Sequence, residues 1–298
     1  MKISSKQFII QMSAKNTPVA YVDSGSVVCF ETLDCFSGNL KTEQDLMHLV
    51  GWEQINPATG PLYVNGAKPG DVLRVEIQDI QLGPQGVIAA GPNMGVLGDI
   101  LTEERTKIVP IVDGQAVFND KLRIPVSPMI GVIGTAPATE EILNGTPGPH
   151  GSNMDCKLIG AGTVLYLPVN VEGALLAMGD LHAVMGDGEI VICGVEINGE
   201  VTVKVDVLTN FEAPLPMLQT QDKIVAIVSA PTLDEAAKTV THDMARFMEK
   251  QLGMDIYEAG MLLSVACDLC ICQMVDPLMT VRMELPKWIA DQYGFQMP

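Results

Sequence analysis

The chain has 298 residues, which is enough for one large domain or two ordinary ones. Hydrophobic residues make up 47% and charged residues 18%, so the chain can form an extensive core and a disordered protein is excluded. Acidic residues outnumber basic ones 36 to 18, and the formal net charge of −18 makes nucleic acid and anionic membranes poor partners.

The amino-terminal segment does not have the pattern of a secretory signal. Its apolar stretch from Phe8 to Met12 is short and is interrupted by Gln11. No stretch of the sequence approaches the ~20 apolar residues of a membrane span. The seven cysteines form an odd set without the spacing of a disulfide framework. We therefore expect a cytoplasmic protein.

The sequence up to about residue 210 predicts mainly β-strands. Short runs of β-branched or alternating residues, separated by Gly, Pro, Asn or Asp, cover residues 26–31, 72–80, 107–112, 115–118, 129–133, 164–169 and 200–208. The last run alternates valine with polar residues, which is typical of a half-solvated antiparallel strand. Asn198-Gly199 before it predicts a tight hairpin turn that joins residues 191–197 to this strand.

The remaining sequence, from about residue 211, predicts helices. Thr232 and Glu235 form a capping box at the start of an amphipathic helix that Gly253 ends. Asp255 and Glu258 form a second box, and the apolar residues that follow predict a helix that continues through Gln273 and stops before Pro277. We expect a mainly β fold, α+β overall, with a β-sandwich or barrel-like core (residues 1–210) that carries most site residues. An α/β portion (211–298) is expected to pack on that core.

The segment 179–189 contains four ionisable side chains within a short, glycine-rich stretch. Asp180 and His182 are two residues apart, so on an extended chain both would project from one face. A carboxylate and an imidazole that converge are suitable ligands for a divalent cation such as zinc. Asp187 and Glu189 repeat this spacing, and the glycines around them could fold both back toward the first pair. The alternative interpretation is a polar loop whose acids cap a turn.

Two further polar, glycine-rich stretches, residues 31–38 and 146–155, add candidate side chains. His150 and Asp155 lie together in the second of them. The sequence contains no GxSxG, Walker A, HExxH or dinucleotide-binding pattern. A catalytic thiol at Cys156 is disfavoured, because its acidic and basic neighbours in sequence would point to opposite faces of a strand.

Several longer motifs occur in an order that resembles the acetamidase/formamidase family. They are residues 56–73 (NPATGPLYVNGAKPGDVL), 131–137 (GVIGTAP), 149–155 (PHGSNMD), 179–189 (GDLHAVMGDGE) and 268–273 (DLCICQ). The resemblance implies hydrolysis of formamide, acetamide and similar short amides, a mainly β fold, a bound divalent metal and homo-oligomeric assembly. The chain departs from the family pattern at Asn39, Met185 and Asp276, where the family usually has Gln, Gln and Asn. These departures bear on substrate choice rather than on reaction class.

The expected reaction is metal-assisted hydrolysis of a short aliphatic amide to a carboxylate and ammonia. The metal, zinc or alternatively calcium, would activate the carbonyl and a water molecule, and a carboxylate would carry the proton. The predicted metal ligands are His150, Asp155, Asp180 and His182. Candidates for the general base are Glu189, Asp187 and Asp34, and Glu31 and Asp268 are expected to orient the site. The alternative function is a non-catalytic, metal-stabilised β-sandwich that binds a small ligand.

Overall fold

The computed structural model describes residues 1–298, apart from the side chain of Trp52. The first half of the chain is built from strands β1 (Lys2–Ile3), β2 (Phe8–Ile9), β3 (Gln11–Ser13), β4 (Ala20–Asp23), β5 (Ser26–Thr32), β6 (Ala58–Asn65), β7 (Val72–Leu82), β8 (Gln85–Ala90), β9 (Arg105–Val112), β10 (Gln115–Val117), β11 (Arg123–Pro125), β12 (Met129–Gly134), β13 (Glu141–Leu143) and β14 (Gly151–Asn153). Two short 3₁₀ helices, Met47–Leu49 and Trp52–Gln54, lie between β5 and β6.

The second half adds the remaining strands and all of the α-helices. The strands are β15 (Val164–Pro168), β16 (Leu176–His182), β17 (Glu196–Ile197), β18 (Gly199–Leu208), β19 (Met217–Gln219), β20 (Lys223–Ala230), β21 (Asp268–Gln273) and β22 (Met279–Pro286). The helices are α1 (Leu233–Phe247), which continues as a π-helical turn (Met248–Leu252), α2 (Ile256–Ala266) and α3 (Lys287–Gln292). Among the described residues, no helix combines the length and apolarity that a membrane crossing requires.

Two large sheets make the fold mainly β, which confirms the predicted fold class. A nine-stranded sheet has the order β1-β5-β18-β7-β15-β19-β20-β22-β21. An eleven-stranded sheet runs β11-β10-β9-β8-β17-β16-β12-β14, and β6 joins it beside β16 together with β2 and β4. The nine-stranded sheet is continuous across residue 210, because β15 pairs with β19.

The main hydrophobic core lies between the two sheets. In β18 the alternating valines Val201, Val203 and Val205 are fully buried, whereas Thr202 and Lys204 between them are partly exposed. These valines pack with residues of the other sheet, among them Ile130 of β12 and Leu181 of β16. A second core forms where α1, α2 and α3 cover the carboxyl-terminal strands.

Two local predictions in the second half are wrong. The helix expected through Gln273 ends at Ala266, and residues 268–273 form strand β21 instead, because they pair with β22 over most of their length. The hairpin expected at Asn198-Gly199 does not form either. Strand β17 pairs with β16 and β8 in one sheet, whereas β18 pairs with β5 and β7 in the other. The turn therefore connects two sheets.

The two predicted capping boxes are confirmed as helix starts. The side chain of Thr232 accepts a hydrogen bond from the backbone N–H of Glu235, 3.2 Å away. Asp255 likewise accepts hydrogen bonds from the backbone N–H groups of Tyr257 and Glu258. Gly253, which has φ 69°, terminates the π-helical turn after α1.

Candidate active site

Strand β16 carries the central pair of the site, Asp180 and His182. Every residue of this strand is buried, and it pairs with β12 on one side and with β6 and β17 on the other. Asp180 has φ 56°, so the strand is not regularly extended at this point. The two side chains nevertheless converge, with 3.5 Å between Nε2 of His182 and Oδ1 of Asp180.

Asp155 approaches the same pair from the segment after β14. Its Oδ1 lies 3.8 Å from Nε2 of His182. The space between Asp155 and Asp180 exists because residue 131 of β12 is glycine. A Cβ atom at Gly131 would lie 2.4 Å from Oδ2 of Asp180 and 2.5 Å from Oδ1 of Asp155. Gly131, the first residue of the GVIGTAP motif, therefore makes room for two carboxylates.

Glu189 and Glu196 complete the ring around the imidazole. Oε1 of Glu189 lies 4.0 Å from Nε2 of His182, and Oε1 of Glu196 lies 3.1 Å from it. Glu196 stands opposite His182 across the β16–β17 pair and is buried. Asp276 joins the group from the loop before Pro277, where its Oδ2 accepts a hydrogen bond of 2.9 Å from Nδ2 of Asn153.

The side chains of this acidic cluster, which we define as Asp155, Asp180, His182, Glu189, Glu196 and Asp276, perturb one another strongly. Burial raises the pKa of Asp155 to about 7 and that of Glu196 to about 8. Burial and the Asp155 carboxylate raise the pKa values of Glu189 and Asp276 well above their ordinary values. Burial lowers the pKa of His182, but Glu196 and Asp180 outweigh it and hold that pKa well above its usual value. Five carboxyl groups cannot all be ionised here without balancing cations or protons.

The acidic cluster satisfies several conditions for a metal site. Among the described side chains, Oδ1 of Asp155, Oε2 of Glu196 and both ring nitrogens of His182 are buried without a hydrogen-bond partner. Ligand atoms of Asp155, His182 and Glu189 all lie within 4.8 Å of one another, as do those of Cys35, Asp180 and Glu196. Oxygen and nitrogen atoms around one small cation have separations of this order.

A cavity of about 460 Å³ opens above the acidic cluster. Asp180, Glu189, Glu196 and Asp276 contribute to its lining, and the other contributors are mostly apolar. Asn144 and Asn153 also line it, and each has a buried carbonyl oxygen without a donor among the described residues. The cavity therefore has a charged floor, amide acceptors and apolar walls.

The other predicted site residues do not belong to either group of closely spaced ligand atoms. His150 is buried, its Nε2 has no hydrogen-bond partner among the described residues, and burial lowers its pKa to about 4. Both carboxylate oxygens of Asp187 accept hydrogen bonds from Arg282, at 2.7 and 2.9 Å, and Lys157 lies 2.9 Å away. Burial raises the pKa of Asp187, but these cations outweigh it and lower the pKa overall.

Asp34, Glu31 and Asp268 have other local partners. Oδ1 of Asp34 accepts the backbone N–H groups of Phe36 and Gly38 and lines a neighbouring cavity. Glu31 accepts hydrogen bonds from Ser4 and Ser5 at the partly exposed surface. Asp268 is exposed at the start of the edge strand β21.

The sequence analysis missed the roles of Glu196 and Asp276. Glu196 lies among apolar residues that read as an ordinary strand, and only its pairing with His182 brings it to the cluster. Asp276 stands where the family usually has Asn, and this extra carboxylate is the one feature of the sequence that could have pointed to a role in the site. Cys35 lies beside Asp180 and Glu196, and burial raises the pKa of its thiol well above the ordinary value.

Fold and site together define a class: an open, two-sheet β protein with a buried carboxylate–imidazole centre below a cavity. The model of the acetamidase/formamidase family matches residues 14–147 and 142–292, so the chain belongs to that family. The recognised resemblance is confirmed.

Solved structures and curated proteins agree with this assignment. An acetamidase from Bacillus halodurans is 50% identical, with a TM-score of 0.98 over 99% of this chain and 100% of that one. A predicted acetamidase/formamidase from Thermoanaerobacter tengcongensis is 44% identical, with a TM-score of 0.97 over 99% and 98% of the two chains. The formamidase of Methylophilus methylotrophus is 27% identical over 64% of this chain and 62% of its own length. The chain spans between 60% and 63% of the length of the curated relatives it matches.

Proposed function

We propose that this chain hydrolyses the C–N bond of a short aliphatic amide, such as formamide or acetamide, to a carboxylate and ammonia. The observation that carries the proposal is the acidic cluster at the floor of a cavity with apolar walls. The names of the related formamidase and acetamidase support the reaction class.

A divalent cation fits the acidic cluster. The unpartnered atoms of Asp155 and His182, and the two carboxylates that Gly131 allows to lie close together, favour a bound ion at this point. Asp155, Asp180 and His182 would hold it, and an imidazole among carboxylates suits zinc better than calcium, which prefers oxygen ligands throughout. When bound, such an ion supplies Lewis acidity that polarises an amide carbonyl. His150 is left out of this ligand set, because it is absent from both groups of closely spaced ligand atoms, although its Nε2 is also buried without a hydrogen-bond partner in the part of the chain that the structure describes.

Two asparagines are suited to bind the amide nitrogen of the substrate. Nδ2 of Asn144 donates to the backbone oxygens of Ile9 and Asn56, at 2.7 and 2.8 Å, so its Oδ1 must be an acceptor. Nδ2 of Asn153 is likewise engaged by Asp276. Oδ1 of each asparagine lacks a donor among the described residues, so each is a proposed acceptor for an N–H group of a primary amide.

Glu189 is the proposed proton carrier. It lines the cavity, whereas Asp155 and His182 lie behind it, and Asp187 is held by Arg282 and Lys157. Glu189 would take a proton from the attacking water and return it to the departing nitrogen, which leaves as ammonia. Proton transfer of this kind contributes about 10²–10⁴-fold to a rate.

The proposal is tested by ammonia release from formamide and acetamide, together with elemental analysis of the purified protein. We expect bound divalent metal, loss of turnover after exhaustive chelation, and recovery when zinc is added. Full turnover in protein shown to be free of metal would contradict the metal-dependent mechanism. Absence of ammonia release from the metal-loaded protein with any amide would contradict the reaction itself.

Assembly and location are further parts of the proposal. We infer a homo-oligomer, because the apolar side chains Tyr257, Met261 and Val265 on α2 are 77%, 68% and 81% exposed in the isolated chain. A cytoplasmic location agrees with seven free cysteines. Sedimentation velocity on the purified protein measures the oligomeric state, and a monomer at micromolar concentration would contradict that inference.

A further inference from the structure

The cavity above the acidic cluster is much larger than formamide or acetamide. Its volume is about 460 Å³. Acetamide occupies the space of about three water molecules, or roughly 90 Å³ at ~30 Å³ for each water. Cavities of roughly 300 Å³ and more typically enclose ligands of drug size. A short amide bound at the floor would therefore leave most of the cavity filled with water.

The cavity lining combines polar and apolar groups. Its carboxyl groups belong to the acidic cluster, and Asn56, Asn144, Thr146 and Asn153 are its uncharged polar residues. An apolar wall, which we define by the following side chains, surrounds the remaining space: Ile10, Phe36, Met47, Ile55, Ile192 and Val275. Phe36 is buried and the other five are partly exposed, so the wall extends from the interior toward solvent. Such a lining suits an amide whose carboxamide lies at the floor and whose acyl group lies along the wall.

Ile192 shows that the apolar wall is built into the fold. Its backbone has φ 80°, a left-handed conformation in which a β-branched residue is a genuine outlier. The backbone N–H of Ile192 donates a 2.9 Å hydrogen bond to the carbonyl of Glu189, so the strained turn also carries the proposed proton carrier. Strained residues of this kind persist where the surrounding structure determines them, and they concentrate at ligand sites.

We propose that the apolar wall is an acyl-binding subsite, and that the substrates this chain prefers are primary amides with longer aliphatic acyl chains than acetamide. The inference rests on the proposed amide hydrolysis and specifies its substrate class. The acyl chain would lie against side chains of this wall, such as Phe36, Ile192 and Val275. Leu143, which is 59% exposed and also lines the cavity, lies where such a chain would meet solvent.

The expected effect follows from burial of methylene groups. Each methylene that leaves water for an apolar surface gains about fourfold in binding. Hexanamide has a longer chain than acetamide, and partial burial of that chain should raise kcat/KM by at least about tenfold. The gain should stop when the chain passes the mouth of the cavity, so kcat/KM should level off for still longer amides.

The test measures ammonia release by the metal-loaded, full-length protein from acetamide, butanamide, hexanamide and octanamide. A second series uses Val275→Phe, which reduces the cavity at its wall. Met47→Trp serves the same purpose from the 3₁₀ helix if Val275→Phe does not fold, and circular dichroism checks folding. The matched control is Val27→Phe, since Val27 is 47% exposed on β5 and does not line the cavity.

We expect kcat/KM to rise along the series in the wild type and in Val27→Phe. In Val275→Phe the ratio of the values for hexanamide and acetamide should fall at least about tenfold, which cancels the gain that burial provides. Hydrolysis of acetamide with a flat or falling series would overturn the acyl subsite and leave the proposed function intact. A flat or falling series is also expected if a second copy of the chain occupies the cavity and excludes longer acyl chains. If no amide of the series releases ammonia, the proposed function itself fails.

Discussion

Gly131 offers a direct test of whether Asp155 and Asp180 form the working site. In Gly131→Ala the new Cβ would lie 2.4 Å from Oδ2 of Asp180 and 2.5 Å from Oδ1 of Asp155, where ordinary contact begins near 3.4 Å. Each carboxylate must therefore move by about 1 Å, and a misplacement of about 1 Å can lower a rate about 10²-fold. The φ of Gly131 lies outside the left-handed region, so alanine is tolerated by the local backbone. Overpacking in a buried strand costs about 1–3 kcal/mol, which a folded protein can survive.

The assay compares ammonia release, metal content and thermal unfolding of Gly131→Ala with those of Gly186→Ala. Gly186 lies in the loop that carries Glu189, yet a Cβ there would meet no atom within 4 Å. We expect Gly131→Ala to fold, to lose bound metal and to fall about 10²-fold or more in turnover. Gly186→Ala should behave like the wild type. A Gly131→Ala protein with normal metal content and normal turnover would refute the placement of the site at these two carboxylates.

Further predictions concern four single side chains. Glu189→Gln should lower turnover by about 10²–10⁴-fold while the metal content stays near normal. Loss of metal from this variant would show that Glu189 is a metal ligand instead. Asp187→Asn should lower turnover by less than about tenfold. Cys35→Ser should keep turnover within a few-fold, because burial keeps the thiol protonated; abolished turnover with intact metal would contradict this. Burial lowers the pKa of His150 to about 4, below its unfolded value of about 6.5, so its contribution to stability is present above pH 6.5 and is lost as pH falls toward 4. Between pH 7 and pH 5 the wild type should lose about 2 kcal/mol more unfolding free energy than His150→Gln, as chemical denaturation measures, and parallel curves would contradict this.

Local patterns predicted the elements whose partners lie close in sequence or whose periodicity is unambiguous. The alternating valines of β18 and the caps at Thr232 and Asp255 are of this kind. The segment after Ala266 is not, because its short apolar run suits a buried helix or a strand equally well. Its pairing with β22, which starts only at Met279, decides the outcome. The turn at Asn198-Gly199 likewise has hairpin chemistry, but its flanking strands find partners in different sheets.

The candidate site was predictable only in part, for a related reason. The spacing of Asp180 and His182 correctly predicted that their side chains converge. The backbone at Asp180 is, however, not extended, since its φ is 56°. The sequence could not show which of Asp187 and Glu189 is free to act as the general base. Arg282 decides this, because it lies far along the chain and pairs with Asp187. Glu196 reached the cluster through a strand pair, and its own neighbours in sequence give no sign of it.

Backbone strain at the acidic cluster indicates what the fold is organised to maintain. Asp155, Asp180 and Glu189 have φ values of 43°, 56° and 48°, although none is glycine. A left-handed residue of this kind costs about 1–3 kcal/mol, and a buried carboxyl group adds a desolvation penalty. Neither feature helps the chain to fold, so the surrounding sheet must compensate for both. Strand β16, buried along its whole length, supplies that support. An arrangement that opposes stability at three neighbouring carboxylates is best explained by the ligand and the reaction that they serve.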